Sequence, residues 1–192
     1  MYRQLLDFWL REIDSEQWRT RDPAFDELLT ERFTPLLGQA AQGELFPWRV
    51  TVHGRLAEVI VLDQFSRNIH RDTPHAFRQD PMALVLAQEA VSAGALEHLE
   101  PMERVFLLMP YMHSESALVH REAEQLFKDW TPERFHGFEL RHKVIIDRFG
   151  RYPHRNKIVG AFRLQRKRHF SESRDQASKL PRIASEARWL HR

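Results

Sequence analysis

Five proline junctions punctuate the chain: Asp22-Pro23, Thr73-Pro74, Asp80-Pro81, Glu100-Pro101 and Thr131-Pro132. In each, a residue able to accept a backbone hydrogen bond precedes a proline. That pairing suits an N-cap followed by proline at the first helical position, where the missing N–H costs nothing and φ is already helical. Between the junctions apolar residues recur at helical spacing, and no alternating β-branched run bounded by hairpin turn residues interrupts them. These features predict an all-α chain with helices near 2–13, 23–41, 53–70, 81–93, 101–112, 115–129 and 132–149, and a short turn at 74–78. Gly43, Gly94 and Gly150 fall where helices should end, because a left-handed cap is least strained without a Cβ. Pro35 and Pro110 lie within helical patterns, and each should kink or stop its helix by removing a backbone donor.

Two helices carry distinct patterns. Leu56-Ala57-Glu58-Val59-Ile60-Val61-Leu62 is apolar almost all round, as expected of a central helix covered on several sides. The 132–149 segment instead places Phe135, Phe138, His142, Ile145 and Phe149 on one stripe, the pattern of a half-buried helix. No strict sequence period is legible, but the short connections favour antiparallel hairpins stacked side by side. Trp9, Trp18, Trp48 and Trp130 sit in apolar helical contexts that read as core.

The length of 192 residues suffices to bury an apolar core, and the absence of cysteine excludes disulfides, thiolate metal sites and a cysteine nucleophile. No apolar run approaches the roughly 18 residues that span a bilayer, so the expectation is a cytoplasmic protein without a membrane partner. The charge is divided unevenly. Residues 151–192 hold 12 Lys and Arg against 3 Asp and Glu, leaving 17 against 24 in residues 1–150, so a basic tail follows an acidic body.

Three polar groups stand out. Asp63-Gln64-Phe65-Ser66-Arg67-Asn68 follows directly on the apolar stretch. Asp63 and Arg67, four apart, can pair on one face, with Gln64 and Asn68 on the adjacent stripe. The residues are either an internal tie or a pocket wall. His113 and Glu115 lie where the helix containing Pro110 gives way to the next one, and they are the candidates for a general base and its orienting partner. With His120 they lack the spacing of a helical zinc site, and no metal or other cofactor is expected. The segment from Asp147 to Asn156 contains Arg148, Arg151, His154 and Arg155 around Pro153, a set that reads as a solvated basic loop or as a carboxylate or phosphate clamp. There is no glycine-rich phosphate loop and no Gly-x-Ser-x-Gly elbow.

Taken in order, FW at 8–9, GRLAEVIVLDQFSRNIHRDT at 54–73, AF at 76–77 with Asp80, LLMPYMHSES at 107–116 and RFGRYPHRN at 148–156 resemble the bacterial family catalogued as domain of unknown function 924. The resemblance spans residues 1 to about 160. It implies a tetratricopeptide-like all-α fold, and it places Asp63, Gln64, Arg67, Asn68, His113, Glu115, Arg148, His154, Arg155 and Asn156 on shared motif positions. It implies no activity. Ser66 stands where the family usually has proline.

A larger departure begins at Gly160. Relatives resemble N-x-x-L-G-R-x-S-T-x-E-E-x-x-F-L, whereas this chain reads NKIVGAFRLQRKRHFS. Deleting one C from the GGC CGC step of a frame that encodes GRVSTAEETAFL yields GAFRLQRKRHFS, residues 160–171 here. Residues from about 161 onward are therefore read as out-of-frame translation, which divides the chain into a helical domain at 1–160 and an atypical basic tail at 161–192. The slip replaces a Thr-x-x-Glu capping box, and it removes the reason to assign nucleic acid as a partner. Ile183, Ala187 and Leu190 give 176–190 a fortuitous amphipathic pattern.

Two functional expectations follow. One is a pocket for a small anionic or polar ligand built from the ten motif residues named above, with arginine and asparagine holding the ligand. The alternative is a protein-interaction scaffold in which the polar motifs are structural ties and a helical groove receives a protein partner.

Overall fold

The computed structural model describes residues 1–18 and 20–158. Among these residues there are no strands, and eight α-helices run in the order α1 (Tyr2–Asp7), α2 (Pro23–Ala41), α3 (Val52–Ile60), α4 (Ser66–Ile69), α5 (Asp80–Ser92), α6 (Pro101–Met112), α7 (Ala117–Trp130) and α8 (Glu133–Phe149). α1 continues into a π-helical turn at Phe8–Glu12, and a second π turn at Val61–Phe65 joins α3 to α4, so one helical rod runs from Val52 to Ile69. Short 3-10 turns at Phe46–Val50, Pro74–Phe77, Ala95–His98 and Pro153–Lys157 complete the described chain.

Local chemistry sets the helix ends. Asp22 Oδ1 accepts from the amides of Ala24 and Phe25 at the start of α2. Glu100 and Glu103 form a reciprocal capping box on α6. Gly43, Gly94 and Gly150 take φ of +75°, +78° and +67° after their helices. Three junctions differ from the expected pattern, the first being Thr73, whose hydroxyl donates to the His70 carbonyl and caps no amide. Thr131 Oγ1 donates to the Phe127 carbonyl and closes α7, so α8 starts with Pro132 at its cap. Asp80 is the first residue of α5, and its carboxylate turns away from capping to meet two arginines. Pro35 and Pro110 stop neither helix: Leu36, Leu37 and Ala40 beyond the first, and Tyr111 and Met112 beyond the second, are buried, and their packing outweighs one lost backbone bond.

The rod is the hub. α3 packs against α1, α5 and α6, while the π turn and α4 pack against α2. Every residue from Leu56 to Leu62 is fully buried, Glu58 included. That carboxylate is tolerated because Arg49 holds it through two hydrogen bonds of 2.6 and 2.7 Å. Trp9 anchors the adjoining core, with its ring against Phe25, Phe65 and Phe106. Beyond the hub, α6, α7 and α8 pack in succession.

α8 is rotated relative to the expected stripe. Its buried residues are Phe135, Glu139, His142 and Ile146, while Phe149 is 51% exposed. The rotation follows from Glu139, which turns inward to meet His120 of α7. The out-of-frame tail and its 176–190 pattern lie outside the described residues. Among the described residues, no helix is long and apolar enough to cross a membrane.

Candidate functional site

The π turn lies where the buried rod becomes polar. A π turn adds a residue to the local repeat and re-aims the side chains around it. Asp63, Gln64, Ser66, Arg67 and Asn68 all stay buried. Burial of this much polarity requires partners from elsewhere in the chain. Arg67 donates through Nη1 to its own helix, at the Asp63 carbonyl (2.7 Å), and the same nitrogen lies 2.9 Å from Asp63 Oδ1. Its Nη2 donates to Asp80 Oδ2 at 3.0 Å. Asp80 Oδ1 is equally near Nη2, at 2.9 Å, but off the N–H direction, and it accepts no hydrogen bond. Arg155 comes from the last 3-10 turn, donating to Asp80 Oδ2 (3.1 Å) and to the His113 carbonyl (3.0 Å). Its guanidinium lies between the rings of Phe77 and Tyr152.

Asp63 also orients His113. The imidazole Nδ1 lies 2.8 Å from Oδ1 and 3.1 Å from Oδ2 of Asp63. An ionised carboxylate only accepts, so Nδ1 carries the proton and Nε2 presents its lone pair. Burial alone would raise the Asp63 pKa, but Arg67 and His113 beside it hold the carboxyl well below its usual range. Burial, reinforced by the Arg67 charge, lowers the His113 pKa, so the ring is neutral at pH 7. Gln64 Nε2 donates to Asp63 Oδ2 at 2.5 Å, fixing the carboxylate from the other side.

His113, Gln64 and Arg67 line a cavity of about 70 Å³, and most of its remaining wall is apolar. The volume admits several water molecules or the narrow body of a small organic molecule. One side is a stripe along α6: Met102, Val105, Phe106, Met109 and Met112. The facing side is a stripe along α8: Arg134, Phe135, Phe138 and His142. Trp18 closes over the middle, edge-on to Phe106 at 4.9 Å. His142 is the second histidine of the wall. Its Nδ1 donates to the Phe138 carbonyl, and burial pushes its pKa down to about 3.

Behind this wall lies His120, which is fully buried. His120 Nδ1 is 2.6 Å from Glu139 Oε1, and its Nε2 is 2.8 Å from the Ser114 carbonyl. Tyr152 OH donates to the Met112 carbonyl at 2.5 Å, tying the last described turn to the end of α6. Glu139 is pushed up by burial, with His120 opposing the shift.

The expected site residues separate into three groups. Asp63, Gln64, Arg67, His113 and Arg155 converge. Glu115 stands beside them, but it accepts from the Tyr152 amide (2.9 Å), and the carboxylate on His113 is Asp63. Asn68 faces α2, donating to Asp26 alongside Arg71. Arg148 is exposed with its guanidinium over Phe149, the His154 ring leans on Tyr152, and Asn156 makes no hydrogen bond to the cluster among the described residues. Asp80, Tyr152 and His142 join the site without having been expected there. Asp80 was masked by its resemblance to an N-cap, His142 by the apolar stripe it shares, and Tyr152 by the basic loop around it. The arginines differ from expectation in one further respect. Arg67 and Arg155 are committed to Asp63, Asp80 and backbone carbonyls, because a buried guanidinium needs counter-charge, so neither is a free anion clamp. Among the described residues no cluster of three or more His, Asp or Glu could hold a metal ion.

Comparison with known proteins agrees with this frame. The family model described as a bacterial protein of unknown function, DUF924, matches residues 5–173. A solved structure of a protein of unknown function from Agrobacterium tumefaciens aligns with a TM-score of 0.78 at 30% identity, covering 93% of this chain and 96% of that one. No curated protein matches the chain.

Proposed function

This chain belongs to the bacterial DUF924 family, and we propose that the cavity between α6 and α8 binds a small molecule with an apolar body and a polar group at His113. The observation that carries this reading is the open Nε2 lone pair of His113 on the wall of an otherwise apolar cavity, its tautomer set by Asp63. Apolar walls supply affinity, and a few fixed polar groups supply orientation. Three methionines in the wall let it adapt to different shapes. Toward a ligand bearing an acidic proton, the Asp63–His113 pair has the arrangement of a general base with its orienting carboxylate. Of the ten motif residues, Gln64, Arg67 and His113 line this wall, and Asp63, Glu115 and Arg155 bond to the residues around it.

The test is a thermal-shift screen of small amphiphiles against the wild-type protein and Met109→Trp, which fills the cavity. Binders should raise the wild-type Tm and leave that of a cooperatively unfolding Met109→Trp protein unchanged. If no amphiphile shifts the wild type, or the variant responds equally, the cavity is not the binding site.

A second reading, a surface for a protein partner, has its own support. Leu140 and Val144, one turn apart on α8, are exposed apolar residues on one face. Their replacement by Ser should leave small-molecule binding intact and abolish association, measured by light scattering, if that surface is used.

A further inference from the structure

The cavity has two chemically different ends. Met102 near the start of α6 touches Arg134 near the start of α8, with Nη2 of the arginine 3.8 Å from the methionine sulfur. His113, just past the end of α6, and His142, further along α8, line the cavity's other end. α6 and α8 therefore run in the same direction, and the wall extends along them. At the helical rise, about 16 Å separates positions 102 and 113, and about 12 Å separates 134 and 142.

Arg134 differs from the arginines at the polar end. It is exposed, it lines the cavity, and it has no carboxylate partner among the described residues. Its guanidinium rests over the Phe135 ring, 4.7 Å from the centroid, and beside the Met102 sulfur. Neither contact neutralises a charge. The planar fork is thus held in place by apolar neighbours and left open to two acceptor oxygens. Arg67 and Arg155, by contrast, are matched by Asp63 and Asp80. An anion would gain little from them, so the cation available to a ligand is at the Met102 end of the wall.

Building on the cavity reading above, we propose that the ligand is a medium-chain ω-hydroxy monocarboxylate, with its carboxylate on Arg134, its chain along the α6 and α8 stripes and its hydroxyl at His113. The hydroxyl donates to the His113 lone pair, so neither buried polar group is left unsatisfied, and the charge stays at the mouth, where water still reaches it. The reverse orientation would put a carboxylate beside Asp63, with like charges facing each other at the buried end.

Isothermal titration with 8-hydroxyoctanoate and with octane-1,8-diol separates the two claims. The wild-type protein should bind 8-hydroxyoctanoate about tenfold more tightly than octane-1,8-diol, with the preference narrowing as salt is raised. Arg134→Gln should remove the preference, and Arg134→Lys should retain part of it. As Arg134 is on the surface, its variants are expected to fold normally. If both compounds bind equally to the wild type, or Arg134→Gln keeps the preference, the carboxylate assignment is overturned while the cavity reading stands. If neither compound binds, both are overturned.

Discussion

Arg67 is buried as an ion because two carboxylates and a carbonyl surround it. Burial opposes its charge, but Asp63 and Asp80 more than offset the penalty. Removing it leaves two acidic groups facing each other without a cation, so Arg67→Ala should cost about 3–5 kcal/mol in urea unfolding. A loss under about 1 kcal/mol would show that the pair contributes little to the fold. His142 makes a prediction of opposite character. Its folded pKa is near 3, against about 6.5 when unfolded, so between these values the unfolded chain binds more protons. Stability is therefore complete above about pH 6.5 and falls by about 1.4 kcal/mol per pH unit below it, with His113 adding in the same direction. Unfolding curves from pH 7 to 5 should show this decline, and His142→Gln should flatten it. An unchanged slope in the variant would place the titration elsewhere. The sequence showed the Asp63–Arg67 pair, since a spacing of four is a local geometric fact. It did not show that His142 is a wall residue, because a histidine on an apolar stripe reads the same whether it faces packed side chains or a cavity.

At the scale of elements, helix starts and stops were largely readable. The structure reproduces 23–41 and 101–112 as α2 and α6. Caps and left-handed glycines act within a few residues, so they are visible in a local window. The π turn at Val61–Phe65 was not visible, because its extra residue has no compositional mark. Gly54 provides a sharper example. A Cβ there would fall 1.9 Å from the Trp48 carbonyl oxygen, so the first turn of α3 can lie against the preceding 3-10 turn only without a side chain. Gly54→Ala should therefore destabilise the protein by roughly 3 kcal/mol despite adding a good helix former, as measured by chemical denaturation. A neutral or stabilising effect would mean that the two turns separate easily.

For the whole molecule, the out-of-frame reading of residues 161 onward is a proposal about the gene. Because the family match runs on to residue 173, the base count around codon 160 decides it. Sequencing should reveal one missing base, and restoring it should raise the Tm by supplying a capped final helix; an intact frame overturns the reading and returns the basic tail to consideration as a functional arm. The amino-acid sequence by itself determined the all-α class, the helix limits and the choice of 56–62 as the central segment, since hydrogen-bonding periodicity, caps and all-round apolarity are properties of neighbours in the chain. Only the tertiary structure decided that His113 takes its carboxylate from Asp63, 50 residues away, and that Arg155 meets Asp80 across 75. It alone opened the apolar wall between α6 and α8. Such pairings depend on how each helix is rotated about its axis and against which neighbour it packs. Those quantities are set by side-chain fit across the whole core, which local spacing does not encode.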